Sequence, residues 1–203
     1  METPARSPTL FRRGLLLEYA TLGWNGIEAV VAVTVGMLAG SIALIGFGLD
    51  SVVECFSALV VLWQFLGKAT PERERRALRL IAMSFFLLAA YVGIEAVHSL
   101  IVRDRPSESF PGIFIACASL FVMPLLGRAK RRTGHEAHSH TLIADAGQTY
   151  LCAYLSAVLL TGLVLNATVG WWWADPLAAL GIAALAVREG REAWRGDLCC
   201  EVP

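Results

Sequence analysis

Six long apolar stretches occupy most of this 203-residue sequence, and each is long enough to cross a membrane as an α-helix. A spanning helix needs about 20 mostly apolar residues, and the connections between the stretches are too short to hold a separate soluble domain. The pattern predicts an all-α membrane protein, a six-helix transmembrane bundle that forms one domain over 1–203. We predict helices over 15–38, 41–66, 80–102, 110–126, 141–166 and 173–194.

The distribution of basic residues predicts the orientation of the bundle. If both termini lie in the cytoplasm, all of the 17 Lys and Arg residues except Arg103 and Arg105 fall on that side. Cytoplasmic loops carry such an excess of Lys and Arg, so the N- and C-termini are predicted to be cytoplasmic. The first apolar run contains Glu18 and Glu28 and lacks a small-residue cleavage site, which predicts a retained helix. We expect the protein in the cell membrane, meaning a plasma or inner membrane.

Acidic side chains interrupt these apolar stretches, and no Lys or Arg is expected deep among them. Each acid at the centre of a spanning helix costs about 2.5–3.5 kcal/mol on insertion scales. Without basic partners the acids must be protonated, hydrogen-bonded inside the bundle, or balanced by a cation that comes and goes. The last alternative is a hypothesis of cation transport. The ionisable residues within the predicted helices are Glu18, Glu28, Asp50, Glu54, Glu95, His98, Asp145 and Asp175.

Two polar pairs lie near the middle of predicted helices two and five. Asp50 and Glu54 are four residues apart and therefore project from one helix face. Gln148 and Cys152 repeat this spacing, and "LDSVVECFSALVVL" reads like "GQTYLCAYLSAVLL" when the pairs are superposed. Polar pairs at matching depth in similar helices are typical of the midplane sites of transporters. We predict a metal site formed by these four residues between helices two and five.

The mixed chemistry of this predicted site suggests which ion it would take. Two carboxylates, an amide oxygen and a thiol form a set that suits a small divalent ion such as zinc. Carboxylate and amide oxygens alone would shift the preference toward manganese.

Other polar residues allow alternatives that the sequence leaves open. The segment "GHEAHSH" between helices four and five either collects metal ions weakly or is a solvated linker. Glu95 and His98 share a face of helix three and could relay protons or simply pair with each other. Asp145 is expected to cap helix five or to help admit an ion, and Asp175 is expected to have a structural role at the start of helix six. The histidines of the predicted metal-collecting loop are His135, His138 and His140.

The chain resembles the cation diffusion facilitators, a family of six-helix metal transporters. The resemblance covers nearly the whole transmembrane region, and it implies that Asp50 and Glu54 are the helix-two metal ligands. Gln148 and Cys152 fall on positions that are His and Asp in the best-known members. Family members usually continue into a cytoplasmic metal-binding domain, which we expect this chain to lack. The matching elements are Asn25, "SIALIGFGLDSVVE", "YVGIEAVHSL", "TLIADAGQTYLCAYLS" and "WWWADPLAALGIAAL".

These inferences predict an exporter of a divalent transition-metal ion, zinc above all, that works by alternating access and exchanges the metal for protons. The alternative is a metal-binding membrane sensor or accessory protein that does not transport. We expect no enzymatic activity, since the sequence has no nucleophile–base pair or HExxH motif. The predicted partners are the metal ion as cargo, protons and the lipid bilayer; the resemblance adds a homodimer. Neither a cofactor nor a nucleic-acid partner is expected.

Overall fold

A computed structural model describes residues 8–66, 71–103, 107, 109–137 and 140–195. These residues form six α-helices and no strand. The predicted all-α six-helix bundle is therefore confirmed. The helices are α1 (Pro8–Ala39), α2 (Ile42–Leu66), α3 (Pro71–Val102), α4 (Phe110–Glu136), α5 (His140–Val169) and α6 (Ala174–Arg195).

Five of the helices in the described part of the chain, α1 to α5, are long and apolar enough to cross a membrane. The protein is thus an integral, multi-pass membrane protein. The sixth helix is the shortest, with 22 residues. Its apolar segment is shorter still because charged residues fill its last two turns, but α6 packs against α3 and belongs to the same bundle. These charged residues are Arg188, Glu189, Arg191, Glu192 and Arg195.

Helix α4 continues well beyond the predicted end at residue 126 and stops at Glu136. Its extension contains the basic run "RAKRR", which was predicted to lie in a cytoplasmic loop. Ala, Arg and Lys are all strong helix formers, so the helix propagates past the apolar segment. His135 consequently lies in the last turn of α4 and not in a loop.

Glycine allows α1 and α2 to approach each other closely beside the predicted site. A Cβ atom on Gly48 of α2 would lie 2.7 Å from Cγ2 of Val33 and 2.9 Å from its backbone nitrogen. Small residues permit such backbone contact between membrane helices. Gly48 precedes Asp50 by two residues, so this contact fixes the position of that carboxylate relative to α1.

The first turn of α2 is capped by two polar side chains, one of which comes from α6. Ser41 accepts a hydrogen bond from the backbone N–H of Leu44 at 3.1 Å, as an N-cap residue does. Its hydroxyl donates to Asp175, and the second oxygen of Asp175 accepts from the N–H of Ala43 at 3.3 Å. The predicted structural role of Asp175 is confirmed, and its hydrogen bonds join α6 to the start of α2.

We expect Asp175→Ala to lower the free energy of unfolding by about 1 kcal/mol, the usual effect of losing a helix cap. The alanine leaves the Ser41 hydroxyl and the Ala43 N–H without their acceptor. Thermal unfolding in detergent micelles, followed by circular dichroism, measures the change. Because Ser41 and Asp175 form one network, adding Ser41→Ala should cost less than it does alone; strictly additive losses would contradict the shared cap.

Candidate cation site

A small cavity lies between α2, α3, α5 and α6, with a volume of about 20 Å³. That volume holds roughly one water molecule, and so also one dehydrated metal ion. We call it the Asp50–Glu54 cavity after the two carboxylates that α2 contributes. Gln148 of α5 and Glu189 of α6 complete its polar lining. The remaining wall is apolar and consists of Phe85, Leu151, Leu155, Leu185 and Ala186.

The periodicity of α2 places both carboxylates inside the bundle. Asp50 and Glu54 are one turn apart and are only 7% and 4% exposed. The opposite face of the helix carries large apolar side chains that lie exposed, as lipid contacts require. Burial of an acid pair is therefore imposed by the sequence pattern, since rotating α2 would bury the apolar face and expose the acids to lipid. The exposed residues of this face are Val52, Phe56, Leu59 and Trp63.

Helix α5 brings its polar pair to the same region, but in two different environments. Gln148 lines the cavity directly. Cys152 is 1% exposed and lies next to the Glu54 carboxylate, outside the group of side chains that line the cavity. The Thr149 hydroxyl also lies close to Glu54, although it donates to the backbone oxygen of Asp145 at 3.2 Å. Glu54 is thus the residue that connects the α2 pair to α5.

Several buried oxygen atoms at the cavity have no hydrogen-bond partner among the described residues. They are both carboxylate oxygens of Glu54 and the amide oxygen Oε1 of Gln148. Buried polar atoms are almost always hydrogen-bonded, and an unpaired buried carboxylate is especially unfavourable. These atoms are therefore suited to a positively charged species, either a metal cation or a proton.

Further acids surround this pair, and the nearby base, Lys130, forms its ion pairs with Asp145 and Glu18. Asp50 lies close enough to interact electrostatically with Glu54, Glu28 and Glu189. Glu28 of α1 accepts a hydrogen bond from the Ser119 hydroxyl, and its other oxygen, Oε2, has no partner among the described residues. Mutual repulsion in a low-dielectric region adds to the cost of burying each charge. The cavity accordingly has strong electrostatic preference for a cation.

A basic residue does lie deep in the bundle, and the sequence-based expectation that none would is wrong. Lys130 of α4 is fully buried, and its ammonium group contacts Asp145 of α5 and, at 3.3 Å, Glu18 of α1. Asp145 also accepts a hydrogen bond from the Ser57 hydroxyl of α2 at 3.3 Å. The prediction failed because α4 was expected to end before Lys130.

This ion-pair network changes the roles of two acids. Glu18 and Asp145 have a basic partner, so they need no mobile cation to balance them. Asp145 also cannot be the cap predicted for α5, because that helix begins at His140. Lys130 lies near Glu54 as well, which places the network directly beside the Asp50–Glu54 cavity.

Glu189 is a cavity residue that was not predicted from the sequence. In "REGRE" it reads as part of a solvated, charged helix end, yet it is 7% exposed. The spacing of buried residues along α6 would have revealed it, because Ile182, Ala186 and Glu189 recur on one helical face. Because the segment is highly charged, the periodicity that buries Glu189 was not recognised.

The remaining predicted residues lie apart from the cavity or cannot be placed. On α3, Glu95 is half-buried and His98 is exposed, and no ion pair or hydrogen bond joins them within the described part of that helix. Their proton relay stays a prediction. His135 is exposed at the end of α4. His138 lies outside the described residues, and His140 is described only as the first residue of α5.

The arrangement is an acid-lined cavity and not a closed coordination sphere. Across the described ranges, no three His, Cys, Asp or Glu side chains converge closely enough to hold a metal ion together. The Asp50–Glu54 pair, the Gln148 amide and Glu189 nevertheless share one cavity.

Comparison with known proteins gives a family match and several relatives. Residues 79–195, more than half of the chain, match the model of the cation efflux transmembrane domain. An uncharacterized transporter of Synechocystis is 27% identical over 81% of this chain and 57% of its own length. Transmembrane protein 163 of Xenopus laevis is 23% identical over 92% of this chain and 68% of its own.

A third relative is a magnetosome protein by its name. The magnetosome protein MamB of a Magnetospira strain is 26% identical over 77% of this chain and 57% of its own length. The chain therefore spans 57% of the length of the Synechocystis and Magnetospira proteins and 68% of the Xenopus protein.

Proposed function

Because this chain belongs to the cation efflux family, we propose that it moves a divalent metal cation across the membrane through the Asp50–Glu54 cavity. The observation that carries the proposal is a set of buried oxygens of Glu54 and Gln148 that accept no hydrogen bond from the described part of the chain, at a cavity with room for one ion. Buried atoms of this kind are costly in a purely structural protein. A cation that visits the cavity would satisfy them.

The same carboxylates provide a mechanism of exchange. A dehydrated cation would bind the oxygens of Asp50 and Glu54 while the cavity is open to the cytoplasm. When the bundle opens to the other side, protons would bind those oxygens and displace the metal. Since metal and protons compete for one set of atoms, each step of alternating access would carry one or the other. We propose metal/proton antiport on this basis.

Helix α5 supplies the residues that would select the ion. A thiol favours soft and borderline ions such as zinc and cadmium, whereas carboxylate and amide oxygens also suit manganese. Cys152 lies beside Glu54, so a modest rotation of its side chain would bring the sulfur toward a bound ion. We propose a zinc-like substrate for this reason.

We expect Cys152→Ser to reduce zinc and cadmium flux by about tenfold and manganese flux much less, because it replaces a soft ligand by a hard one. Purified protein in liposomes that contain a metal-sensitive dye gives the initial rate for each ion. Gln148→His should have the opposite effect and favour zinc, since imidazole is a good zinc ligand.

The matched controls are the two half-buried cysteines outside the cavity, Cys55 of α2 and Cys117 of α4. Serine at either position should leave the order of ion preference unchanged. If Cys152→Ser retained the parent's preference for zinc over manganese, the proposed role of the thiol would be wrong.

A second candidate is a metal-binding sensor or accessory protein. The observation that favours it is the position of Cys152 outside the cavity lining, which leaves an incomplete ligand set. Such a protein would bind zinc in a calorimeter but would not carry it into liposomes. A transporter shows both binding and dye-reported flux, so one preparation distinguishes the two candidates.

A further inference from the structure

Glu189 of α6 is an acid for which the proposed exchange between α2 and α5 has no role. It is 7% exposed and lines the Asp50–Glu54 cavity together with Leu185 and Ala186 of the same helix. Its position is six residues before the end of α6 at Arg195. At 1.5 Å per residue this is about 9 Å along the helix axis.

The basic residue next to Glu189 does not form an ion pair with it. Arg188 is exposed and donates a hydrogen bond to Glu192 at 2.9 Å. Among the residues that the structure describes, Glu189 takes part in no ion pair. Glu189 is therefore a buried residue that lines the cavity and forms no ion pair there, although Arg188 lies close enough to attract it electrostatically.

The surroundings of Glu189 favour a cation strongly. Asp50 lies close enough to repel it electrostatically. The same cavity holds oxygens of Glu54 and Gln148 that have no hydrogen-bond partner within the described ranges. Like charges in a low-dielectric region destabilise one another unless a counter-ion lies between them. Glu54 and Gln148 are more than nine-tenths buried, so solvent cannot compensate the charge or the unpaired oxygens of these side chains.

We propose that Glu189 is a third carboxylate of the cation pathway and binds the divalent ion between the Asp50–Glu54 pair and the C-terminal end of α6. This inference rests on the proposed transport function and extends it to a helix outside the predicted four-residue site. Glu189 compensates for the neutral amide and thiol of α5 by adding a negative, hard oxygen ligand. In the predicted orientation the C-terminal end of α6 is cytoplasmic, so Glu189 receives the ion as it enters.

The test compares Glu189→Gln with Glu192→Gln, two isosteric changes on the same helix. Zinc flux into liposomes is measured over a range of zinc concentrations, and zinc binding is measured by calorimetry in detergent. Glu189→Gln should weaken binding and raise the half-saturating concentration by about tenfold, because affinity depends on the number of charged ligands. Glu192→Gln should match the parent within about twofold, since Glu192 pairs with exposed Arg188 and does not line the cavity.

The outcomes separate this inference from the function on which it rests. If the parent transports zinc and the two glutamine variants behave alike, Glu189 is not a ligand and the inference is overturned, while the transport proposal stands. If the parent binds zinc but does not transport it, the transport proposal fails, and weaker binding by Glu189→Gln still supports the ligand. If the parent neither binds nor transports zinc, both are overturned. Glu189→Asp, which keeps the charge, should recover part of the zinc affinity that Glu189→Gln loses. Such a recovery would exclude a folding defect as the cause of the loss.

Discussion

Asp50→Asn is expected to abolish metal flux. The change keeps the shape of the side chain and removes a carboxylate from the cavity lining, where Asp50 lies close to Glu54 and Glu189. Mutation of residues that only support a metal ligand typically costs 10–100-fold in metal affinity or activity, so loss of a ligand itself should cost at least about 100-fold. Initial rates of zinc uptake into dye-loaded liposomes measure the loss.

The control for Asp50→Asn is Glu136→Gln, which removes an acid from the exposed end of α4 where it pairs with Arg132 at 3.0 Å. This variant should transport at the parental rate. Both variants should unfold at temperatures no lower than the parent, since neither replacement creates a void. Parental flux in Asp50→Asn would show that the ion takes another route and that the proposed site is wrong.

Lys130→Met is expected to give the largest loss of stability. The methionine fills a similar volume but leaves Glu18 and Asp145 buried without their basic partner. Removing one partner of a buried ion pair typically costs about 3–5 kcal/mol. Unfolding of the protein in mixed micelles by increasing amounts of denaturing detergent, followed by circular dichroism, measures this change.

Two further variants separate the lost charge from the lost side chain. Arg131→Met changes the neighbouring, exposed residue and should alter stability by no more than about 0.5 kcal/mol. The triple variant Lys130→Met, Glu18→Gln, Asp145→Asn should recover most of the loss, because whole buried ion networks can be replaced by neutral groups at little cost. A triple variant as unstable as Lys130→Met would rule out the unpaired acids as the cause.

The helices and the acid pair of α2 could be predicted because they follow from simple periodicity. Long apolar runs require helices in lipid, and the four-residue spacing of Asp50 and Glu54 requires a common face. Their burial then follows from the apolar, lipid-facing residues on the opposite face of α2. Nothing about the tertiary contacts of α2 was needed for this prediction.

Lys130 and Glu189 could not be predicted because each lies in a charged segment that looks solvated. In "RAKRR" only Lys130 turns inward, and the reason is the presence of Glu18 and Asp145 on two other helices. In "REGRE" the side chain of Arg188 pairs with Glu192, whereas the side chain of Glu189 lines the cavity. Which residue of a charged segment points into the bundle depends on contacts between helices, and these contacts cannot be read from the sequence of one segment.

The position of Cys152 relative to the cavity could not be predicted from the sequence either. The spacing of Gln148 and Cys152 placed both on one face of α5, and both are indeed buried. The rotation of α5 about its axis, relative to α2, decides which of these two side chains faces the cavity. Gln148 lines the cavity, and Cys152 does not. Spacing within a helix therefore predicted burial but not the direction of each side chain.

The contact between Gly48 and the backbone of Val33 has a consequence for how the bundle could change its access. Close packing of Gly48 against Val33 and Ala32 leaves little room for side chains to repack there, so we expect α1 and α2 to move together. Asp50, Glu54 and Glu28 would then keep their mutual distances through a transport cycle. The distances that change would be those from this α1–α2 unit to Gln148 on α5 and to Glu189 on α6. A bound ion would therefore lose its contacts with those two residues first.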